Sequence, residues 1–256
     1  MQTTPHTTPS SVLSVGSDLP LGPVLPGWKP ASAPARVPLV GLRARLEPLD
    51  VESHAVSLHA ANAEDSAGRM WTYLPYGPFA GATAYAEWVR SQQTSCDPIF
   101  FAIVEASTGQ ACGVAAYLRI DPNNGCIEIG HLAFAPRLQR TPAATEALFL
   151  MLDHAFAQGY RRVEWKCNAL NAPSRRAAQR LGFRFEGLFR QAAVVKGRNR
   201  DTAWYAMLDR EWTTLRLAYV QWLGAANFDA HGQQRLALGT LTQEALATCE
   251  PAPAQG

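Results

Sequence analysis

The sequence predicts an α/β protein with a mixed, mostly antiparallel central sheet and flanking helices. Three observations carry that expectation. Ile99–Val104 and Ala111–Ile120 are apolar runs joined by Glu105–Gln110, a turn holding Ser107-Thr108-Gly109, which is the pattern of a hairpin. A second turn, Asp121-Pro122-Asn123-Asn124-Gly125, leads into Cys126–Ala135, so three successive antiparallel strands are expected. At Thr141 and Pro142 the apolar period changes from two to 3.6, and helix and strand patterns then alternate to the end of the core.

Taken in order, residues 1 to about 38 are Pro, Ser, Thr, Ala and Gly with hardly any charge. Such a segment buries too little apolar surface to offset its ordering entropy, so an extended or disordered stretch is expected, with Trp28 as the residue that docks. Val40–Leu46 alternates with period two and reads as a half-buried strand. Residues 49–62 and 79–92 read as helices. Between them lies the aromatic loop Met70–Pro78, whose prolines bar a continuous helix.

After the three strands, Thr141 is a good N-cap and Pro142 a good first helical residue. Leu148, Leu152, Ala155 and Phe156 follow at helical spacing until Gly159. Arg161–Cys167 is the next strand, and Ala172–Leu181 the next helix, closed by Gly182. Phe183–Phe189 and Ala192–Val195 lead through Gly197-Arg198-Asn199-Arg200 to Thr202–Leu208, a further hairpin, and Asp209–Trp222 is the last core helix. Residues 226–256 carry a short helix at about 232–247 and a Pro-Ala tail, which read as a peripheral extension. One domain over 39–225 with two extensions is expected.

Composition narrows the function classes. Apolar content of 47% and 17% charged residues describe an ordinary globular chain, and a formal charge of +2 argues for neither nucleic acid nor membrane as partner. Of the 23 basic residues only Lys29, Lys166 and Lys196 are lysines. Five cysteines form no C-x-x-C pair, and Cys112, Cys126 and Cys167 sit in apolar strand contexts, the pattern of a reducing compartment. No charged segment followed by an apolar run opens the chain, so a cytoplasmic location is expected. Monomer and homodimer both stay open.

Gln139-Arg140-Thr141-Pro142-Ala143-Ala144 leaves a strand and opens a helix, where unpaired N–H groups and the helix dipole favour an anion. With Glu128-Ile129-Gly130-His131-Leu132 before it, and Asn171-Ala172-Pro173-Ser174, Arg176-Ala177-Ala178-Gln179-Arg180-Leu181-Gly182-Phe183 and Glu186-Gly187 after it, the chain resembles the GNAT superfamily of acyl-CoA-dependent N-acetyltransferases. More closely, it resembles the branch that includes bacterial ribosomal-protein N-terminal acetyltransferases. The resemblance covers roughly residues 40 to 215 and implies the GNAT fold, acetyl-CoA as cofactor and a primary amine, on a small molecule or a protein N-terminus, as acceptor. The departure is Pro142, which stands where the family loop has its first glycine and supplies no N–H.

That resemblance implies site roles. The loop Gln139, Arg140, Thr141, Pro142, Ala143, Ala144 and Thr145 would take the pyrophosphate, with N–H groups of Ala143, Ala144 and Thr145 remaining and Arg137 and Arg140 adding charge. Two central strands would splay, and Leu132, Ala133 and Phe134 would lend main-chain groups to the pantetheine arm. Asn171 would contact that arm and Ser174 would lie near the sulfur, and both are equally good helix caps. Glu128 is the candidate base, since a carboxylate buried in an apolar strand gains proton affinity. The alternative is an exposed Glu128, or one paired with an arginine. His131, expected on the opposite face, is the other titratable candidate and also reads as a packed strand histidine.

Trp71, Tyr73, Tyr76, Arg198 and Asp201 are candidate walls of the acceptor cleft. No metal is expected, because no second His, Cys or Asp stands at ligand spacing around His131. Many relatives carry a tyrosine acid in the second helix, and none stands between Tyr160 and Tyr205 here. An acyl-CoA-binding protein without transfer is therefore the second reading. A nucleotide-binding module is the third, disfavoured because no lysine follows the loop.

Overall fold

The computed structural model describes Leu19 and residues 21–249; the remainder of the expected N-terminal segment and the Pro-Ala tail lie outside the described residues. Its strands are β1 (Leu39–Val40), β2 (Ala44–Pro48), β3 (Ile99–Glu105), β4 (Ala111–Asp121), β5 (Cys126–Phe134), β6 (Arg162–Asn168), β7 (Arg184–Val195) and β8 (Arg198–Leu208). The helices are α1 (Val51–Asn62), α2 (Ala82–Gln92), α3 (Pro142–Ala157), α4 (Ala172–Arg180), α5 (Asp209–Leu223) and α6 (Leu238–Thr248). All eight strands form one sheet in the order β1-β2-β3-β4-β5-β6-β8-β7. Among the described residues only β5 and β6 pair in parallel; the other neighbours are antiparallel.

The continuous apolar run of β3 has a physical cause, because this central strand is buried on both faces. Phe101 and Ile103 enter a core with α3 and α5 residues such as Met151, Leu152, Leu215 and Tyr219. Phe100, Ala102 and Val104 enter a second core with Leu58 of α1 and Tyr85 and Val89 of α2. The expected mixed, mostly antiparallel sheet flanked by helices is therefore present. Among the described residues, no helix is long and apolar enough to cross a membrane.

Three readings are corrected. Val40–Leu46 is not one strand: a tight turn over residues 41–43 folds β2 back on β1. The turn is fixed by the buried Glu146 carboxylate of α3, which accepts from the N–H groups of Arg43 (2.5 Å) and Ala44 (2.8 Å). A Cβ on Gly41 would lie 2.5 Å from Glu146 Oε2, so the turn needs glycine there. Period two persists on either side of such a turn, which is why the sequence pattern runs through it.

Second, Phe183–Phe189 and Ala192–Val195 are one strand, β7, with its register shift between Phe189 and Ala193. Third, the C-terminal extension is not peripheral. Leu238 and Leu241 of α6 are buried in the first core with α4 and α5 residues, and Thr242 donates to Arg180 O at 3.1 Å. At the other end Trp28 docks as expected, under the Arg161 guanidinium at 5.6 Å. Ala31 is also buried, through a bond from its N–H to Pro122 O.

Candidate active site

A fork in the sheet makes the site. β5 and β6 pair only over Cys126–Glu128 and Arg162–Glu164, after which they diverge. A cleft of about 1230 Å³ opens between them. Ile129, Gly130, His131, Leu132 and Phe134 line one side, and Trp165, Lys166, Cys167 and Asn168 the other. The start of α3 (Thr141, Pro142, Ala144, Thr145) and the aromatic loop (Met70, Tyr73, Leu74, Pro75) also border it.

Glu128 sits at the vertex, 6% exposed. Lys166 Nζ lies 3.0 Å from Glu128 Oε2 and 2.5 Å from Glu164 Oε2, and 3.7 Å from the centroid of the Trp204 ring. Arg119 Nε is 3.7 Å from the same Glu128 oxygen. Neither Glu128 Oε2 nor Lys166 Nζ has a well-aligned hydrogen bond, so the contact is a charge pair rather than a bonded one. Burial pushes the Glu128 carboxyl above the usual carboxylate range, opposed by the Lys166 and Arg119 charges. Glu164 goes the other way: although burial acts to raise it, the adjacent Lys166 ammonium and the Arg162 guanidinium, which donates to it at 2.8 Å, leave it below the usual range. The glycine at 130 leaves room for this carboxylate, since a Cβ there would meet Leu118 at 3.0 Å and Glu128 Oε1 at 3.3 Å.

His131 is on the same sheet face as Glu128, not the opposite one. Ala116 opposes Gly130 while Val114 opposes Ala133, so two β5 residues face the single Ala115. This bulge, with His131 at φ 51, breaks the alternation. The imidazole packs against Phe100 of the second core (5.1 Å) and stacks on Tyr76 (5.5 Å, 16° between planes). Burial, helped by Arg200, lowers its pKa to about 4, and its Nδ1 has no hydrogen-bond partner among the described residues.

At the other end, Thr141 caps α3 with Pro142 following, and its Oγ1 accepts from Ala144 N at 3.1 Å. Thr145 N donates to Thr141 O. Two of the three expected N–H donors are thus consumed by the cap itself, leaving those of Ala143 and Arg140 without partners among the described residues. The Arg140 side chain lines the cleft, with backbone φ 62. Arg137 is corrected away from the loop, because its guanidinium is tied to Glu64. Gln139 Nε2 donates to Phe134 O at 2.8 Å. Leu132 and Phe134 line the cleft, whereas Ala133 is buried in the second core.

Asn171 caps α4, accepting from Ser174 N at 3.2 Å, and Ser174 Oγ accepts from Trp165 Nε1 at 3.0 Å. Both residues also line the cleft. Of the acceptor candidates, Tyr73 lines it and donates to Leu170 O at 3.2 Å. Trp71 and Tyr76 stand behind that wall: Trp71 is buried against Phe79, and Tyr76 packs between Trp88 and His131, where burial raises its phenol strongly. Arg198 and Asp201 are outside the lining. Asp201 instead accepts from Gln191 N (2.7 Å) and Asn199 Nδ2 (3.0 Å), because period two sends it away from the face of Arg200, which does line the cleft.

Sequence reasoning passed over Lys166, Arg180 and the segment 228–234, all of which reach the cleft, Phe228 and Gly232–Gln234 from the extension. A usable signal existed for Lys166. Glu164 and Lys166 are opposite charges two apart in an alternating strand, hence on one face.

Comparison with known proteins agrees with this geometry. Residues 43–184, more than half of the chain, match the family described as "Acetyltransferase (GNAT) domain". A GCN5-related N-acetyltransferase from Brucella melitensis is 46% identical with a TM-score of 0.84, over 86% of this chain and 100% of that one. N-acetyltransferase p20 of Bacillus licheniformis is 31% identical over 113 residues, 44% of this chain and 63% of that protein. YdaF of Bacillus subtilis (strain 168), named as a ribosomal N-acetyltransferase, is 30% identical over 105 residues, 41% of this chain and 57% of that protein. The chain thus spans between 57 and 63% of the length of these two curated relatives. With the forked sheet, the capped α3 and this match over its core, the chain belongs to the GNAT acetyltransferase family.

Proposed function

We propose that the protein transfers an acetyl group from acetyl-CoA, the cofactor general to its family, to a primary amine. One juxtaposition carries this reading: a helix start with unpaired N–H groups at one end of the cleft and a buried carboxylate at the vertex of the fork. The residues present fit the cofactor. The N–H groups of Arg140 and Ala143, with the Arg140 guanidinium, would hold the pyrophosphate, a smaller donor set than a glycine loop offers. Leu132, Phe134, Asn171 and Ser174 would line the arm's path. Bound acetyl-CoA supplies a thioester carbonyl open to attack by a neutral amine.

The chain's own part is to deliver that neutral amine. Glu128 takes the proton, directly or through one water, and its raised proton affinity suits that task near neutrality. Ser174, its oxygen held by Trp165, is the hydroxyl that would serve as a donor in the cleft. His131, at a pKa of about 4, is neutral and a weak base at pH 7, so we read it as wall. The ribosomal designation of the B. subtilis relative supports including ribosomal-protein N-terminal peptides among the acceptors tried.

The test is acetyl-CoA-dependent thiol release across small amines and N-terminal peptides. We expect turnover with at least one acceptor class. Glu128→Gln should lower kcat/KM by roughly 100-fold, the scale of a lost general base, with cofactor affinity kept. Cofactor binding without thiol release across the panel would instead favour the reading without transfer.

A further inference from the structure

Arg180, at the end of α4, has no carboxylate partner among the described residues. Arg43, Arg137, Arg162 and Arg216 each face an acid. The Arg180 guanidinium instead sends both terminal nitrogens to Thr145 Oγ1, at 3.2 Å each, and lies 5.1 Å over the Trp222 ring. Burial lowers its proton affinity, the direction expected for a cation withdrawn from water without a counter-charge. Both Arg180 and Thr145 line the cleft. A partly buried, uncompensated guanidinium in an open cleft is stabilised by an anion that enters there.

The wall facing it is built, and it comes from the extension beyond the family match. Trp222 Nε1 donates to Gln234 Oε1 at 2.8 Å. Asn227, itself buried, donates through Nδ2 to Trp222 O (3.0 Å) and Leu236 O (3.2 Å), and accepts from Leu236 N (2.8 Å). Asp229 Oδ1 accepts from His231 N and Gln233 N, both at 2.9 Å. These bonds pin the turn that brings Gly232, Gln233 and Gln234 to the cleft, and the ring that seats Arg180 is anchored to the same turn.

Thr145, which holds Arg180, is four residues beyond the Thr141 cap, about one helical turn along α3. The cleft therefore has two cationic side chains, Arg140 at the helix start and Arg180 on Thr145 one turn further along α3, the latter beside a 228–234 turn whose Asp229 carboxylate is occupied by backbone N–H groups. Coenzyme A carries two separate phosphate groups, a pyrophosphate and a ribose 3′-phosphomonoester. Resting on the cofactor reading above, we propose that Arg180 and the 228–234 turn form the seat of the 3′-phosphate, so that the C-terminal extension is part of the cofactor site and distinguishes coenzyme A from its 3′-dephospho form.

Calorimetric titration of the full chain with coenzyme A and with 3′-dephospho-coenzyme A tests this. We expect wild type to bind coenzyme A at least about tenfold more tightly. Arg180→Gln should weaken coenzyme A to the dephospho level and leave dephospho-coenzyme A unchanged. Gln233→Glu, which leaves the Arg180–Trp222 packing intact, should weaken coenzyme A selectively through charge repulsion. Equal wild-type affinities, or variants that weaken both ligands alike, would overturn the seat. A wild type that binds neither form overturns the cofactor reading itself, and the seat with it.

Discussion

The Lys166 ammonium stands 3.0 Å from Glu128 Oε2 where β5 and β6 part, with both side chains withdrawn from solvent. Burial raises the proton affinity of Glu128 and Lys166 opposes it. Lys166→Met removes the opposing charge, so the Glu128 pKa should rise further. In the profile of kcat/KM against pH, the acidic limb should move upward by about one pH unit or more. An unmoved limb would exclude Glu128 as the group that produces it.

His131 ties stability to pH. Its folded pKa of about 4 lies below the value of 6.5 for an unburied imidazole, so the unfolded chain binds the proton first as pH falls. The stability from burying the neutral ring is therefore complete above pH 6.5, declines between 6.5 and about 4, and is flat below. The stake is on the order of 2–4 kcal/mol. His131→Asn tolerates the positive φ and does not titrate. Urea melts at pH 7.5 and 4.5 should show a smaller acid loss in the variant; equal losses would contradict the assignment.

Lys196, at the tip between β7 and β8, donates to three carbonyls of the aromatic loop: Trp71 O (2.8 Å), Tyr76 O (3.2 Å) and Gly77 O (2.7 Å). It fastens the loop that supplies Tyr73, Leu74 and Pro75 to the cleft. Lys196→Met should cost about 1–3 kcal/mol and speed proteolytic cutting within residues 68–81. Coenzyme affinity, assigned to the start of α3, should hold within about twofold. Unchanged proteolysis would show that the loop needs no such fastening.

Much of this was legible in the sequence, for physical reasons that also mark where legibility stopped. Period two and period 3.6 located β3 to β5 and α3, because their burial on sheet and helix faces is what sets those periods. Thr141 and Pro142 marked the helix start because capping is local chemistry. The hairpin at 41–43 was hidden because its cause, Glu146, lies over a hundred residues away. The face of His131 was misread because a bulge leaves no trace in an alternating pattern. The three lysines drew no functional account, yet Lys166 and Lys196 prove to be contact points between strands and loops distant in sequence. The extension looked peripheral because its buried residues are few. Its role depends on Trp222 and Arg180, which meet only in the fold.

The most direct test of the site as an acetyl-CoA cleft is calorimetric titration of acetyl-CoA into wild type and Arg140→Asp. Residue 140 is exposed and left-handed, a conformation aspartate tolerates, so the reversal of charge leaves the fold alone. We expect saturable one-to-one binding to wild type and at least about tenfold weaker binding to the variant, the loss of one charge-assisted phosphate contact plus a new repulsion. Equal affinities, or no binding to wild type, would contradict the cleft as the cofactor's place.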